Sequence, residues 1–396
     1  VILTERMPQV RSISIGLWVR AGSRWEPAGS AGISHFIEHL LFKGTESRSA
    51  EEIARAIDGV GGALDAFTSR ENTCFYAKVL GGHLPLAVDL LSDLLLHPRL
   101  APEDIEKERR VVLEEIKMVE DDPDDLIHDI FAERFWRGHP LGRPVLGTRE
   151  SLAGISREAV RRHLADYYQP DRVVVAAAGD LEHDRVAELV RGALGSWQGR
   201  SVPLDGEVPV CHHTTHHEER DSAQLHLVLG AEGLPYGHDQ RYAFYLQNAI
   251  LGSSMSSRLF QEIREKRGLA YSIYSYQASY HDSGLMAVYA GTSPESYPQV
   301  VELILAECAR LRDEPVNLEE FARAKQQIKG NLLLGLESTS SRMTRLAKAE
   351  IYFQRYFDLD DIIRSIDQVT PEAFAELNRR ILRPERHALT TIGHLA

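Results

Sequence analysis

Two histidines four residues apart with a glutamate between them, His35-Phe36-Ile37-Glu38-His39, are the residues of this sequence best suited to chemistry. On a helix, positions i and i+4 share a face. Both imidazoles can therefore offer a nitrogen to one cation roughly 2.0–2.1 Å away, with the glutamate beside it as a base. Helical phasing agrees: at about 100° per residue, Ile33, Phe36, Ile37 and Leu40 form an apolar face, and His35, Glu38 and His39 lie opposite. Ser30 or Gly32 can open such a helix and Gly44 can close it. The order H-x-x-E-H is the inverted form of a zinc-site pattern. A pentapeptide of this kind arises by accident in on the order of a few per cent of chains this long, so a third ligand is needed.

The stretch from Pro102 to about Glu120 supplies candidates. Read as a helix, its apolar stripe is Ile105, Val112, Ile116 and Val119, and its polar face is Glu106, Lys107, Arg110, Glu114 and Lys117. Glu108 and Glu115 fall on the apolar side, two turns apart and projecting in nearly the same direction. An ionised carboxylate buried there without a partner would cost several kcal/mol, so each needs a cation, a donor or a metal. Taken singly, each of these histidines and glutamates is more often a satisfied structural group. Together, with the right phase in both helices, they read as a metal site.

The elements that must position this site repeat. Glu158 to Leu181 and Glu372 to Leu395 are similar at an offset of 214 residues, matching Pro170 with Pro384, Arg172 with Arg386 and Gly179 with Gly393. Each copy is an amphipathic helix, a proline-marked stop and an apolar strand. Ser12 to Arg20 corresponds to Gln224 to Gly230, Leu84 to Leu96 to Tyr297 to Leu311, and the helix opening near Pro102 to one near Leu318. The expected fold is α+β: two homologous domains from an internal duplication, each a mainly antiparallel sheet covered by helices on one side. The expected domains are 1–200, with the metal site, and 221–396, joined by a linker at 201–220. The second half is a natural control, since Ala324 and Asn331 stand where Glu108 and Glu115 do in the first, and it holds no His-x-x-Glu-His. Within the linker, His212, His213, His216 and His217 form a tempting cluster. Strand alternation would turn neighbours to opposite faces, so a solvated linker is the better reading.

Bulk properties narrow the partners. A net charge of −13 over 396 residues argues against nucleic acid, which a polyanion-repelling surface would not hold. No run reaches the roughly 18 apolar residues of a membrane span. Three scattered cysteines, Cys74, Cys211 and Cys308, make no disulfide framework. A soluble, cytoplasmic protein is the expectation, although the chain opens on Val1 and not Met, so an upstream segment can be missing.

At His35 to Thr45 (HFIEHLLFKGT) and Glu108 to Ile116 (ERRVVLEEI) the sequence resembles the pitrilysin family of zinc peptidases, and the likeness spans essentially the whole chain. The resemblance implies one zinc per chain held by His35, His39 and Glu115. It makes Glu38 the catalytic base and Glu108 a second catalytic-site carboxylate supporting the ligands. IREKRGLAYSIYSY (Ile263 to Tyr276) resembles the segment that supplies an arginine and a tyrosine to substrate, here Arg264 and Tyr271. A chain of this length carries one half of the family's two-half enclosure, so the resemblance implies a homodimer whose partner chain completes the site. Gly61 to Val79 alternates like an edge strand and resembles the substrate strand that pairs with an extended peptide, at Asp65 and Ala66. Asp65 stands where asparagine is usual, and its charge could favour basic substrates. Asp125 and Asp129 lie where the processing peptidases of the family recognise a substrate arginine. The implied activity is zinc-dependent endopeptidase cleavage of extended peptides, in which Glu38 takes a proton from the attacking water and hands it to the leaving amine. The competing reading is a non-catalytic scaffold or partner subunit of a heterodimeric peptidase, and the presence of the full set of site residues argues against it.

Overall fold

The computed structural model describes residues 1–204 and 206–395; Asp205, which falls in the expected linker, and Ala396 lie outside the described residues. Among the described residues, strands β1 (Ile2–Arg6), β2 (Ser12–Val19), β3 (Ala63–Thr68), β4 (Thr73–Leu80) and β5 (Val173–Gly179) form one sheet in the order β1-β5-β2-β4-β3. Strands β6 (Thr215–Glu218), β7 (Leu225–Glu232), β8 (Ala270–Ser279), β9 (Gly284–Thr292) and β10 (Ala388–Ile392) form a second in the order β6-β10-β7-β9-β8. In each sheet the first pair is parallel and the other three are antiparallel. The duplication is therefore one topology drawn twice in an α+β fold.

Part of the expected linker is strand. Thr215–Glu218 pairs with β10, and His217 places Nδ1 2.9 Å from Thr391 Oγ1. Histidines in place of alternating apolar residues hide this strand from a periodicity reading. Among the described residues, His212, His213, His216 and His217 gather into no metal-holding group.

Alternation along the central strands gives each sheet two apolar faces. In the first, Ile13, Ile15, Leu17, Val175 and Ala177 face a core shared with Phe36, Leu40, Leu91, Ile105 and Val112 from the helices Ile33–Leu41, Leu84–Leu96 and Pro102–Asp121. Trp18, Cys74, Val174, Ala176 and Ala178 face the other way and are covered by Met343, Leu346 and Ala347 of the helix Thr339–Phe353. In the second, Val228, Leu285, Ala287 and Tyr289 are covered by Ile127, Phe131 and Phe135 of the helix Pro123–Phe135. Helices crowd one face of each sheet as anticipated, and a single helix from the far half of the sequence seals the other.

The compact units are thus not contiguous stretches. One comprises Val1–Met118, Arg143–Gly206 and Gly335–Tyr356; the other comprises Val119–Gly142, Glu207–Leu334 and Phe357–Ala396. The expected division at 201–220 separates the halves in sequence, but the packing exchanges one helix of each. Amphipathic periodicity says that a helix has a face to bury, not which sheet receives it. Among the described residues no helix is long and apolar enough to cross a membrane.

Three polar side chains, two of them buried, fix the helix Ile33–Leu41. Gly32 opens it at φ +89°, and a Cβ there would lie 2.5 Å from the Leu146 carbonyl oxygen, so glycine is required. Gly32 has no side chain to cap the helix, and Glu26 does so from outside. Its Oε2 accepts from the Gly32 amide and its Oε1 from the Ser34 amide, each at 2.7 Å. Burial pushes the Glu26 carboxyl up to about 7, against the pull of those amides. Arg109, on the helix Pro102–Asp121, donates to the carbonyls of Leu152 and Ile155 and lies over the Phe36 ring at 5.6 Å, joining the two helices. His163 lies with Nε2 3.4 Å from Ser34 Oγ, and burial lowers it to about 4.

Met343→Ala should cost about 2–5 kcal/mol in urea unfolding, as for a buried core side chain; a change under about 0.5 kcal/mol would mean that the exchanged helix is not packed. Glu26→Ala strands two buried amides and should cost about 1–3 kcal/mol by the same measurement. The fold refuses His163 a proton that the unfolded chain accepts near 6.5, so this group removes stability as pH falls from about 6.5 toward 4. His163→Gln should flatten that part of the stability profile relative to wild type.

Candidate metal centre

The helix Ile33–Leu41 buries Ile33, Phe36, Ile37 and Leu40 and leaves His35, Glu38 and His39 half-buried on its other side, as the phasing requires. The helix Pro102–Asp121 packs beside it within the same core through Ile105, Val112 and Ile116. Glu115 Oε2 lies 3.7 Å from His35 Nε2 and 3.5 Å from His39 Nε2. Ligands at about 2.0–2.1 Å around a tetrahedral zinc are separated by roughly 3.3 Å, so these three atoms stand close to the corners that zinc needs.

Electrostatics explain why they want a cation. His39 Nδ1 lies 3.2 Å from Glu108 Oε2, and a carboxylate only accepts, so the Nδ1 proton is committed there. That turns the other ring nitrogen, as an acceptor, toward the acceptor oxygen of Glu115. Burial holds the His35 imidazole at about 4, unprotonated at neutral pH. Two imidazole nitrogens and a carboxylate oxygen converging at these distances make a donor set suited to a divalent metal. Glu108 itself is 4 % exposed and its second oxygen meets Lys43 Nζ at 2.8 Å. Glu108 orients His39 and does not face the cluster.

Glu38 projects beside the ligands. Its carboxyl is raised by burial, with further pushes from Asp65 and Glu115, and a 2.5 Å hydrogen bond from Thr68 Oγ1 opposes the rise. Thr68 ends β3, the edge strand of its sheet. On that strand the Ala66 amide donates to Asp65 Oδ1 at 2.8 Å, and the Tyr76 hydroxyl donates to Asp65 Oδ2 at 3.1 Å.

The structure brings His35, His39, Glu115, Glu108 and Glu38 together and sets Asp65 and Ala66 on the neighbouring edge strand. Arg264, Tyr271, Asp125 and Asp129 belong to the other compact unit. There, Arg264 lies 4.9 Å over the Tyr271 ring, and Tyr271 is 77 % exposed. Asp125 and Asp129 sit on the helix Pro123–Phe135. Sequence reasoning missed Thr68, Lys43, Glu26 and Arg109. Lys43 lies four residues beyond His39, just past the end of the site's helix, a spacing that could have suggested a charge near the site; Thr68 and Glu26 reach their partners only through the fold.

Residues 1–149 match the model of insulinase, peptidase family M16, and residues 154–328 match the model of the M16 inactive domain. The metal-site residues all fall in the first match. A Bacillus subtilis protein named an uncharacterized zinc protease is 42% identical over 99% of this chain and 95% of its own. One from Streptomyces coelicolor, also named so, is 41% identical over 100% of this chain and 87% of its own. A protease from Helicobacter pylori has the same fold, with a TM-score of 0.92 at 20% identity, covering 99% of this chain and 96% of that one. A peptidase M16 inactive domain from Pseudomonas fluorescens does too, at TM-score 0.93 and 20% identity, covering 100% and 95%. With two family models in tandem and relatives matched nearly end to end, the chain belongs to peptidase family M16, the insulinase or pitrilysin family.

Proposed function

We propose that this protein is a zinc metalloendopeptidase that hydrolyses extended peptides, with His35, His39 and Glu115 as ligands of one zinc and Glu38 as general base. The observation that carries this reading is the convergence of three ligand atoms within 4.8 Å of one another, with an additional carboxylate on the same helix face. Bound there, zinc would supply Lewis acidity toward a carbonyl oxygen and toward water. Glu38 is placed to take the proton of the attacking water and to return it to the amine that leaves. Glu108 keeps His39 in the tautomer that presents Nε2. An extended substrate would add itself to the edge of β3 by main-chain hydrogen bonds, beside Asp65 and Ala66.

Arg264 and Tyr271, stacked and exposed on the second unit, suit contact with a substrate held by another copy of the chain, and we assign them that role in a homodimer. Asp125 and Asp129 would pair with a substrate arginine near the cleaved bond, and, separately, the charge of Asp65 would favour basic substrates. The free thiols of Cys74, Cys211 and Cys308 suit a reducing compartment, the cytoplasm. The scaffold reading gains nothing from the M16 inactive-domain match, which covers 154–328 and none of the ligands.

The test is cleavage of arginine-containing peptides by purified protein with zinc quantified by mass spectrometry. Glu38→Gln should lower kcat by at least about 100-fold while zinc stays near one per chain. Glu115→Gln should lose the zinc. A zinc-loaded wild type that leaves every peptide intact would refute the peptidase reading, and full activity in Glu38→Gln would refute the base.

A further inference from the structure

We propose that Thr68 is a positioning residue for Glu38, tying the orientation of the base to the strand along which substrate lies; the inference rests on the peptidase reading above. Its foundation is the hydrogen bond from Thr68 Oγ1 to Glu38 Oε2 at 2.5 Å, a length typical of a hydroxyl donating to an ionised carboxylate. The carboxylate can only accept, so the hydroxyl proton points at Glu38 and one oxygen of the base is spoken for. The other, Oε1, is left to act on water.

Period-two alternation explains why this residue can reach. Leu64 and Ala66 turn to the core that holds the helix Ile33–Leu41, while Phe67 turns the opposite way, its ring 5.3 Å from Trp18. Thr68 therefore shares the side of Leu64 and Ala66 and faces the helix. Its backbone is held from both directions. Within the sheet it pairs with Thr73. Beyond the strand the turn is closed by Ser69 and Asn72, whose backbones bond at 2.8 Å and whose Ser69 hydroxyl donates to the Asn72 carbonyl at 2.9 Å. The turn is fastened in turn to the segment before it: the amides of Ser23 and Arg24 donate to the carbonyls of Ser69 and Arg70, and Arg24 pairs with Glu71 at 3.0 Å, both side chains buried. A long, rotatable glutamate side chain is thus held by a hydroxyl on a fixed piece of backbone.

The chemical consequence is register. Thr68 is two residues from Ala66, so a peptide paired along β3 is placed relative to the base through one short covalent path. An unheld carboxylate would spread over several rotamers and spend little time aligned.

The test compares Thr68→Val, which keeps shape and loses the hydroxyl, with Thr68→Ser, which keeps the hydroxyl. On peptides, Thr68→Val should lose about 10- to 100-fold in kcat with KM and zinc content unchanged within about twofold, and Thr68→Ser should recover to within a few-fold of wild type. Independently of activity, crystals of the metal-free proteins should show one Glu38 rotamer in wild type and Thr68→Ser, and several in Thr68→Val. An unchanged Glu38 rotamer in Thr68→Val, or equal loss of kcat in both variants, overturns the proposal. If wild type cleaves nothing, the peptidase reading falls while the rotamer comparison still decides whether Thr68 holds Glu38.

Discussion

The convergence of His35, His39 and Glu115 on one point is the constraint on which the rest of the first unit depends. Three polar side chains are kept that close only if their helices are fixed, and the means are visible around them. The helix of His35 and His39 is braced at its start by Glu26, and the helix of Glu115 is clipped to its neighbours by Arg109. Glu108 decides which nitrogen of His39 faces the cluster. Glu26 and Glu108 are buried polar groups that are costly without their partners, so the stability of the fold and the geometry of the site are secured by the same contacts.

The duplicated topology shows how one architecture accommodates two roles. Both units repeat the same five-stranded order, and the long helix Pro102–Asp121, which comes after the fourth strand, recurs as Leu318–Gly335 after the ninth. In that copy Ala324 and Asn331 replace the glutamates, and Ala324 is buried as a plain core residue. The second unit therefore keeps the packing of this helix without the paired glutamates.

Much of this was legible before the fold was known, because the site lies on helices. Phase along a helix separates faces, and it isolated His35, Glu38, His39, Glu108 and Glu115 from two short segments. Phase alone did not separate the glutamates, since it set both on the apolar side; the family resemblance told them apart, and the distances have Glu115 facing the histidines and Glu108 standing behind His39. Thr68 and Glu26 were invisible for a different reason. Each acts through a hydrogen bond across a separation of 30 or 8 residues whose closure depends on tertiary structure, and a threonine ending a strand carries no mark of its target. The strand at Thr215–Glu218 and the exchanged helices escaped likewise, since periodicity reports that a face will be buried and is silent on its partner.

The exchange of helices has a consequence for how the molecule is made. The first sheet presents Trp18, Val174 and Ala176 on a face whose cover, Thr339–Phe353, lies far toward the other end of the chain. At synthesis rates of about 5–20 residues per second, that face waits on the order of ten seconds after its own strands have left the ribosome. During this interval a nascent chain exposes an apolar sheet surface. Until the covering helix is made, that face is open to association with other apolar surfaces, so the completion of the first unit is deferred until most of the second half exists.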